Sequence, residues 1–234
     1  MNNKIPLLSV VFRNQISDNE VPLLRGCILN IMKGCPDNLY YHNHQEDNFR
    51  YAYPLVQYKT IHHQATMICL DKSVNDCGYL FQSLPCPISL GRRNILLEAA
   101  QITPVYFSLD VSEAPISYQL KRWLPFNAEN YRRYQSIALL SERIGFLEKI
   151  LTGNLLSLAK GLDVHIDFPL QCHILDLKAT EMQKSKGVYM MAFTLTFQCN
   201  LLLPDYLGIG KHSSIGFGII THINEPKSKP QNNE

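Results

Sequence analysis

Residues 40–59 read YYHNHQEDNFRYAYPLVQYK, and the stretch changes character at Arg50. From His42 to Asn48 every residue is polar, with Asn43, Asp47 and Asn48 as turn formers, so a solvated loop is expected. From Arg50 onward Tyr51, Tyr53, Leu55, Gln57 and Lys59 alternate with Ala52, Pro54, Val56 and Tyr58, the two-residue period of a strand. A loop therefore feeds a strand here, and the junction gathers two imidazoles, His42 and His44, with phenols and the Lys59 amine. Such groups move protons near neutrality. Taken alone, the same residues also fit a polar surface loop followed by ordinary strand tyrosines.

The neighbours of this strand decide the fold. Residues 7–13, LLSVVFR, are β-branched and aromatic enough for a first strand. Residues 21–35 read as a helix: Pro22 suits its first turn, Leu24, Ile28, Ile31 and Cys35 share one face, and Gly34 and Pro36 stop it. The strand through Lys59 is followed, across Ile61-His62-His63-Gln64, by a second apolar run at 65–70. Residues 71–83 have turn and helix character, and 95–111 reads as one long extended segment. Strand, helix, strand, strand, helix, strand is the order of a ferredoxin-like βαββαβ unit, a fold that RNA-recognition modules also use.

A break is expected at 112–115, and the pattern then starts again. A strand at 116–123 leads to Asn127, an N-cap for AENYRRYQS. Residues 141–160 form the strongest helical pattern, with Ile144, Leu147, Leu151, Leu155 and Leu158 in one stripe interrupted by Gly145 and Gly153. Residues 168–177 and 188–200 read as a hairpin around the polar turn EMQKSKG. The class is thus α+β, two tandem ferredoxin-like (RRM-like) βαββαβ domains at residues 1–112 and 113–223, with a disordered tail at 224–234.

Among 234 residues the formal net charge is only +2, so a nucleic-acid partner would have to be held by a local basic face. The seven cysteines include no C-x-x-C pair, and the N-terminus MNNKIPLL lacks a secretory apolar core. No apolar run has the length of a membrane span. A reducing, cytoplasmic home without membrane contact is expected. His42, His44, His62 and His63 lack carboxylate or thiolate companions at a recognised ligand spacing, so neither a metal nor another cofactor is expected.

Near the other end, residues 204–220 read PDYLGIGKHSSIGFGII. Gly208, Gly210, Gly216 and Gly218 bracket Lys211, His212, Ser213 and Ser214, a composition that lets backbone amides approach a phosphate while cationic and hydroxyl groups face it. No G-K-[ST] ends it and no helix follows, so it is neither a P-loop nor a dinucleotide fingerprint. Glycines that permit a tight hairpin would look the same.

The G-x-G-x(5)-G-F-G pattern of 208–218, entering a strand, resembles the glycine-rich loop of the repeat-associated RNA-binding superfamily of CRISPR systems. LRGCILN at 24–30, HNH at 42–44 and RYAYPLVQYK at 50–59 are similar to the helix, histidine loop and following strand of the CRISPR repeat endoribonucleases that process precursor guide RNA. The resemblance implies two ferredoxin-like domains side by side and a metal-independent nuclease. It implies attack of a 2′-hydroxyl on the adjacent phosphate, leaving 2′,3′-cyclic phosphate and 5′-hydroxyl ends.

The family's histidine, followed seven residues later by a tyrosine, falls on His44 and Tyr51, with His42 as an auxiliary imidazole. Lys59 is added on chemical grounds, as a cation to offset charge on the reacting phosphate. Arg92, Arg93, Lys121, Arg122, Arg132, Arg133, Lys211 and His212, with the loop glycines and Ser213, are the expected RNA contacts. The partner the resemblance implies is CRISPR repeat RNA, with a homodimer or a CRISPR effector complex as further expected assemblies. The alternative is a non-catalytic RNA-binding subunit of such a complex, which would need no paired imidazoles beside a tyrosine.

Overall fold

The computed structural model describes residues 4–35, 44–45, 48–49, 53–185 and 187–223. In the first half, strand β1 (Ile5–Gln15) leads to helix α1 (Val21–Ile31), and the two-residue strands β2 (His44–Gln45) and β3 (Asn48–Phe49) pair with one another. Then come β4 (Val56–Ile61), β5 (Gln64–Leu70), α2 (Cys77–Ser83), the hairpin β6 (Cys86–Leu90) and β7 (Arg93–Leu97), and β8 (Ala99–Phe107). The second half contains β9 (Val111–Trp123), α3 (Ala128–Ser136), α4 (Leu140–Gly161), β10 (Cys172–Ser185), β11 (Val188–Leu201) and β12 (Ile219–His222).

Two four-stranded sheets result, in the orders β4-β5-β1-β8 and β10-β11-β9-β12, and every neighbouring pair is antiparallel. In each, the second strand of a hairpin inserts beside the first strand of the unit, which is the ferredoxin-like arrangement expected from the element order. The second unit departs from the first between β11 and β12. Residues 202–218 contain no helix, and the glycine-rich segment stands where a second helix would lie.

Periodicity explains the helices. Val21, Leu24 and Ile28 of α1 and the following Met32 are all fully buried, while Leu147, Leu151, Leu155 and Leu158 form the buried stripe of α4. Asn127 caps α3, its side chain accepting the Asn130 amide at 2.7 Å. The cores interpenetrate. The glycine-segment residues Ile215 and Phe217 pack with α1 and β5, and Ile5, Leu7, Tyr53 and Ile68 from the first half pack with α4 and the second sheet.

Four local expectations are corrected. The break at 112–115 lies inside β9, whose first turns of chain are exposed and therefore lack the buried face that marks a strand. The extended segment 95–111 is two strands in different sheets, and 86–90, preceded by Pro85 and containing Pro87, pairs with 93–97 around Gly91 at φ +64°. EMQKS is strand: it continues β10 to Ser185, which pairs with Val188, and its mostly polar sequence reflects an arm that stands clear of the core. Strand β4 starts only at Val56, and Tyr53 precedes it in irregular chain. The tail at 224–234 lies outside the described residues.

Candidate functional site

Strand β4 and the glycine-rich segment run side by side. The Tyr58 N–H donates to the Ser214 carbonyl at 2.9 Å, and Tyr58 and Ile215 form a parallel bridge. One residue earlier, Gln57 accepts the Gly208 N–H on Oε1 at 2.8 Å and donates from Nε2 to the Tyr53 hydroxyl at 2.8 Å. Tyr53 in turn donates to the Gly208 carbonyl at 2.9 Å. Gly208 is therefore held by both of its backbone polar groups. The chain leaving the histidine loop and the segment near the carboxy terminus, some 150 residues apart in sequence, are one hydrogen-bonded unit.

Lys59 completes it. Its side chain is fully buried, and the ammonium donates to Gln57 Oε1 at 2.8 Å and to the Tyr206 carbonyl. Burial disfavours the charged form and pushes its pKa down to about 7. This corrects the expectation that Lys59 faces a phosphate: it is an internal clamp between β4 and the glycine segment. Burial likewise raises the pKa of the Tyr53 phenol.

The glycines are also employed differently from the expectation. The amides of Gly208, Lys211 and Gly218 are donated to Gln57, the Leu124 carbonyl and the Arg122 carbonyl, so these N–H groups are committed inside the protein. Gly208, Gly216, Gly218 and Ser213 are buried. At Gly218, φ +64°, a Cβ would stand 1.9 Å from the Ile209 carbonyl oxygen; at Gly210, φ +79°, it would meet the Trp123 indole nitrogen at 2.7 Å. At these two positions the absence of a side chain admits the segment to a crowded groove. Lys211 is exposed, and His212 is half-buried with Nδ1 at 2.7 Å from the Ser185 hydroxyl.

Of the remaining expected residues, His42 and Tyr51 lie outside the described residues. His44 is described only as the β2 residue opposite Phe49. Arg92 is exposed in the β6–β7 turn, and Arg93 is paired with Glu20. Arg133 lies over the Phe146 ring at 5.2 Å, a surface stacking contact. Arg122 has the more central position: it stacks on Phe217 at 4.5 Å, pairs with Asp18 at 2.5 Å, and lines a cleft of about 290 Å³ with Arg25, Lys184 and Ser185. Three cations from α1, β9 and the β10 arm thus converge beside the glycine segment. Arg25 and Lys184 carried no signal in the sequence, since each is an isolated cation that only the fold brings to the others.

The profile of the Cas6b N-terminal domain matches residues 3–105, and that of the Cas6b C-terminal domain matches residues 110–223. An uncharacterized protein of Methanocaldococcus jannaschii is 34% identical over 116 residues, which cover 49% of this chain and 78% of that protein. A crystal structure of Cas6b superposes with a TM-score of 0.84 at 25% identity, covering 94% of this chain and all of that one. A crystal structure of the CRISPR RNA processing endoribonuclease Cas6b superposes with a TM-score of 0.71 at 22% identity, again over 94% of this chain and all of the other. The second likeness bears on the fold alone.

Proposed function

The chain belongs to the Cas6b family, and from that membership we infer that it is an endoribonuclease acting on CRISPR repeat RNA within precursor transcripts. The observation that carries the reading is the junction of β4 with the glycine-rich segment. The strand that leaves the histidine loop is bonded to that segment at Gly208 and Ser214. The cationic cleft of Arg25, Arg122 and Lys184 opens beside it. An RNA strand held on those cations runs beside the segment to which β4 is bonded.

The chemistry assigned to the loop is transesterification. The 2′-oxygen bonds to the adjacent phosphorus and the P–O5′ bond breaks, giving a 2′,3′-cyclic phosphate and a 5′-hydroxyl. His44 takes the 2′-hydroxyl proton or supplies one to the departing 5′-oxygen, a contribution of roughly 10² to 10⁴ in rate for a well-placed group. Tyr51 orients the phosphate or carries the second proton, and His42 assists. Lys59 acts at one remove by holding the glycine segment against β4.

Repeat RNA encoded beside the gene, incubated with the protein in excess EDTA, is expected to be cut; a requirement for added divalent metal overturns the proposed chemistry. A single deoxyribose upstream of the cut should abolish cleavage while binding persists, and product from that RNA excludes 2′-hydroxyl attack. Binding without any cleavage would favour the non-catalytic subunit. A homodimer or association with a CRISPR effector complex belongs to the same reading, and the mass of the protein–RNA particle in solution tests it. The seven cysteines form no disulfide, which suits a reducing cytoplasm, and among the described residues no helix is long and apolar enough to cross a membrane.

A further inference from the structure

Beside Lys211 lies a second cavity, of about 340 Å³, between the β10–β11 arm and the start of α3. Its volume falls in the range of small-ligand pockets, about 300–1,000 Å³. Phe126 and Tyr131 line it from the α3 side, Met182 and Tyr189 from the arm, and Asn127 and Lys211 supply its polar groups. Asn127 has committed its Oδ1 to the α3 cap, so what it offers a ligand is its Nδ2 donor.

Three observations point to one kind of occupant. First, the arm holds large apolar side chains in solvent: Tyr189 is 63% exposed, and Val188 and Met182 are exposed with it. A monomer exposes contiguous apolar surface of this kind where something binds. Second, the cations are local and the residues lining the cavity include no carboxylate: Lys211 is at the rim, and Lys184 lies 5.8 Å over the Tyr189 ring. Aromatic walls with ammonium groups at the edge suit a base to stack and a phosphate to neutralise. Third, the cavity is continuous with the proposed RNA path, because Lys211 lines it while the next residue, His212, bonds to Ser185 of the cleft.

We propose that this cavity takes an unpaired nucleobase of the repeat RNA, stacked on Tyr189, and so reads sequence or strandedness away from the cut. The proposal rests on the endoribonuclease reading. It adds a subsite on the β10–β11 arm, and it commits to RNA rather than to a peptide or a second copy of the chain.

The experiment uses full-length protein and a set of repeat RNAs, each carrying 2-aminopurine at one position. One position is expected to lose fluorescence on binding, and Tyr189→Ala should restore that signal and weaken binding roughly tenfold, within the range for loss of one base–aromatic stack. Tyr189→Phe should retain both. Because Tyr189 is exposed, its truncation leaves the core intact; a mere folding defect would not act at a single RNA position. Unchanged affinity and unchanged fluorescence at every position in Tyr189→Ala overturn the subsite while leaving the nuclease reading standing. Conversion of a wild-type dimer to a monomer by Tyr189→Ala, with RNA binding intact, would assign the cavity to a second copy and likewise overturn it. Failure of the wild-type protein to bind any repeat RNA would sink the nuclease reading, and the subsite with it.

Discussion

Gln57 Oε1 accepts the Gly208 backbone N–H at 2.8 Å, joining the strand that leaves the histidine loop to the segment near the carboxy terminus. The amide is saturated: the same oxygen accepts from Lys59, and Nε2 donates to the Tyr53 hydroxyl and, at 3.3 Å, to the Pro54 carbonyl. All of this is buried, where a polar group stripped of its partner costs about 1–3 kcal/mol.

Gln57→Leu keeps much of the volume and removes every one of these bonds, leaving Gly208 N–H and the Lys59 amine without Oε1. A loss of about 2–4 kcal/mol is expected, or roughly 5–15 °C in Tm for a chain of this size. Thermal unfolding followed by circular dichroism measures it. A shift under 1 °C would mean the junction contributes nothing to holding the two halves together.

Lys59 gives the stability a defined pH dependence. Its folded pKa of about 7 lies below the ordinary 10.5. Between those values the unfolded chain keeps the proton that the folded chain has released, so raising the pH favours the folded state. Below about pH 7 both states hold the proton and the slope disappears. The wild-type Tm measured relative to that of Lys59→Met should therefore rise from pH 7 to pH 10. A flat difference over that window would show that the ammonium stays charged where it is buried.

Two glycines should respond in opposite directions. Gly153 lies within α4, and a Cβ there meets nothing within 4 Å, so Gly153→Ala gains helix propensity and should stabilise by about 1 kcal/mol. Gly218→Ala would set a methyl 1.9 Å from the Ile209 carbonyl oxygen at a left-handed φ, and a loss of roughly 3 kcal/mol is expected. Urea denaturation of both variants provides the check. Equal effects would deny that the glycine segment is crowded.

What could be read in the sequence was whatever has one buried face. The stripe of α4, the Asn127 cap and the strand order all follow from spacing. Strand β4 shows why the site was harder. Alternation puts Gln57 and Lys59 on one face and Tyr58 on the other, yet all three are buried because core covers one face and the glycine segment the other. A period of two cannot signal a strand covered on both sides. Lys59 therefore looked like a cation free to face the reacting phosphate. The β10–β11 arm failed in the opposite sense, since without a core to face it looked like a turn. The cleft cations Arg25, Arg122 and Lys184 are separated widely in sequence, and only the packing of the halves makes them a set.

The histidine loop supplies the sharpest test of the chemistry. Lys59 is committed to the Tyr206 carbonyl and the Arg122 guanidinium to Asp18 and Phe217, which agrees with the proposal that the loop's own imidazoles and Tyr51 carry the proton transfers. His44→Ala is expected to slow single-turnover cleavage of repeat RNA by at least about 10²-fold, the contribution of one general acid or base. Affinity should stay within a factor of two or three, because the cations proposed to hold phosphate lie on α1, β9 and the β10 arm. His42→Ala, as the auxiliary position, should lose less. The measurement is cleavage with enzyme in excess, paired with filter binding on the deoxyribose-substituted RNA. An active His44→Ala beside an inactive His42→Ala would move the catalytic role two residues upstream, and full activity in the double variant would remove the loop from the mechanism.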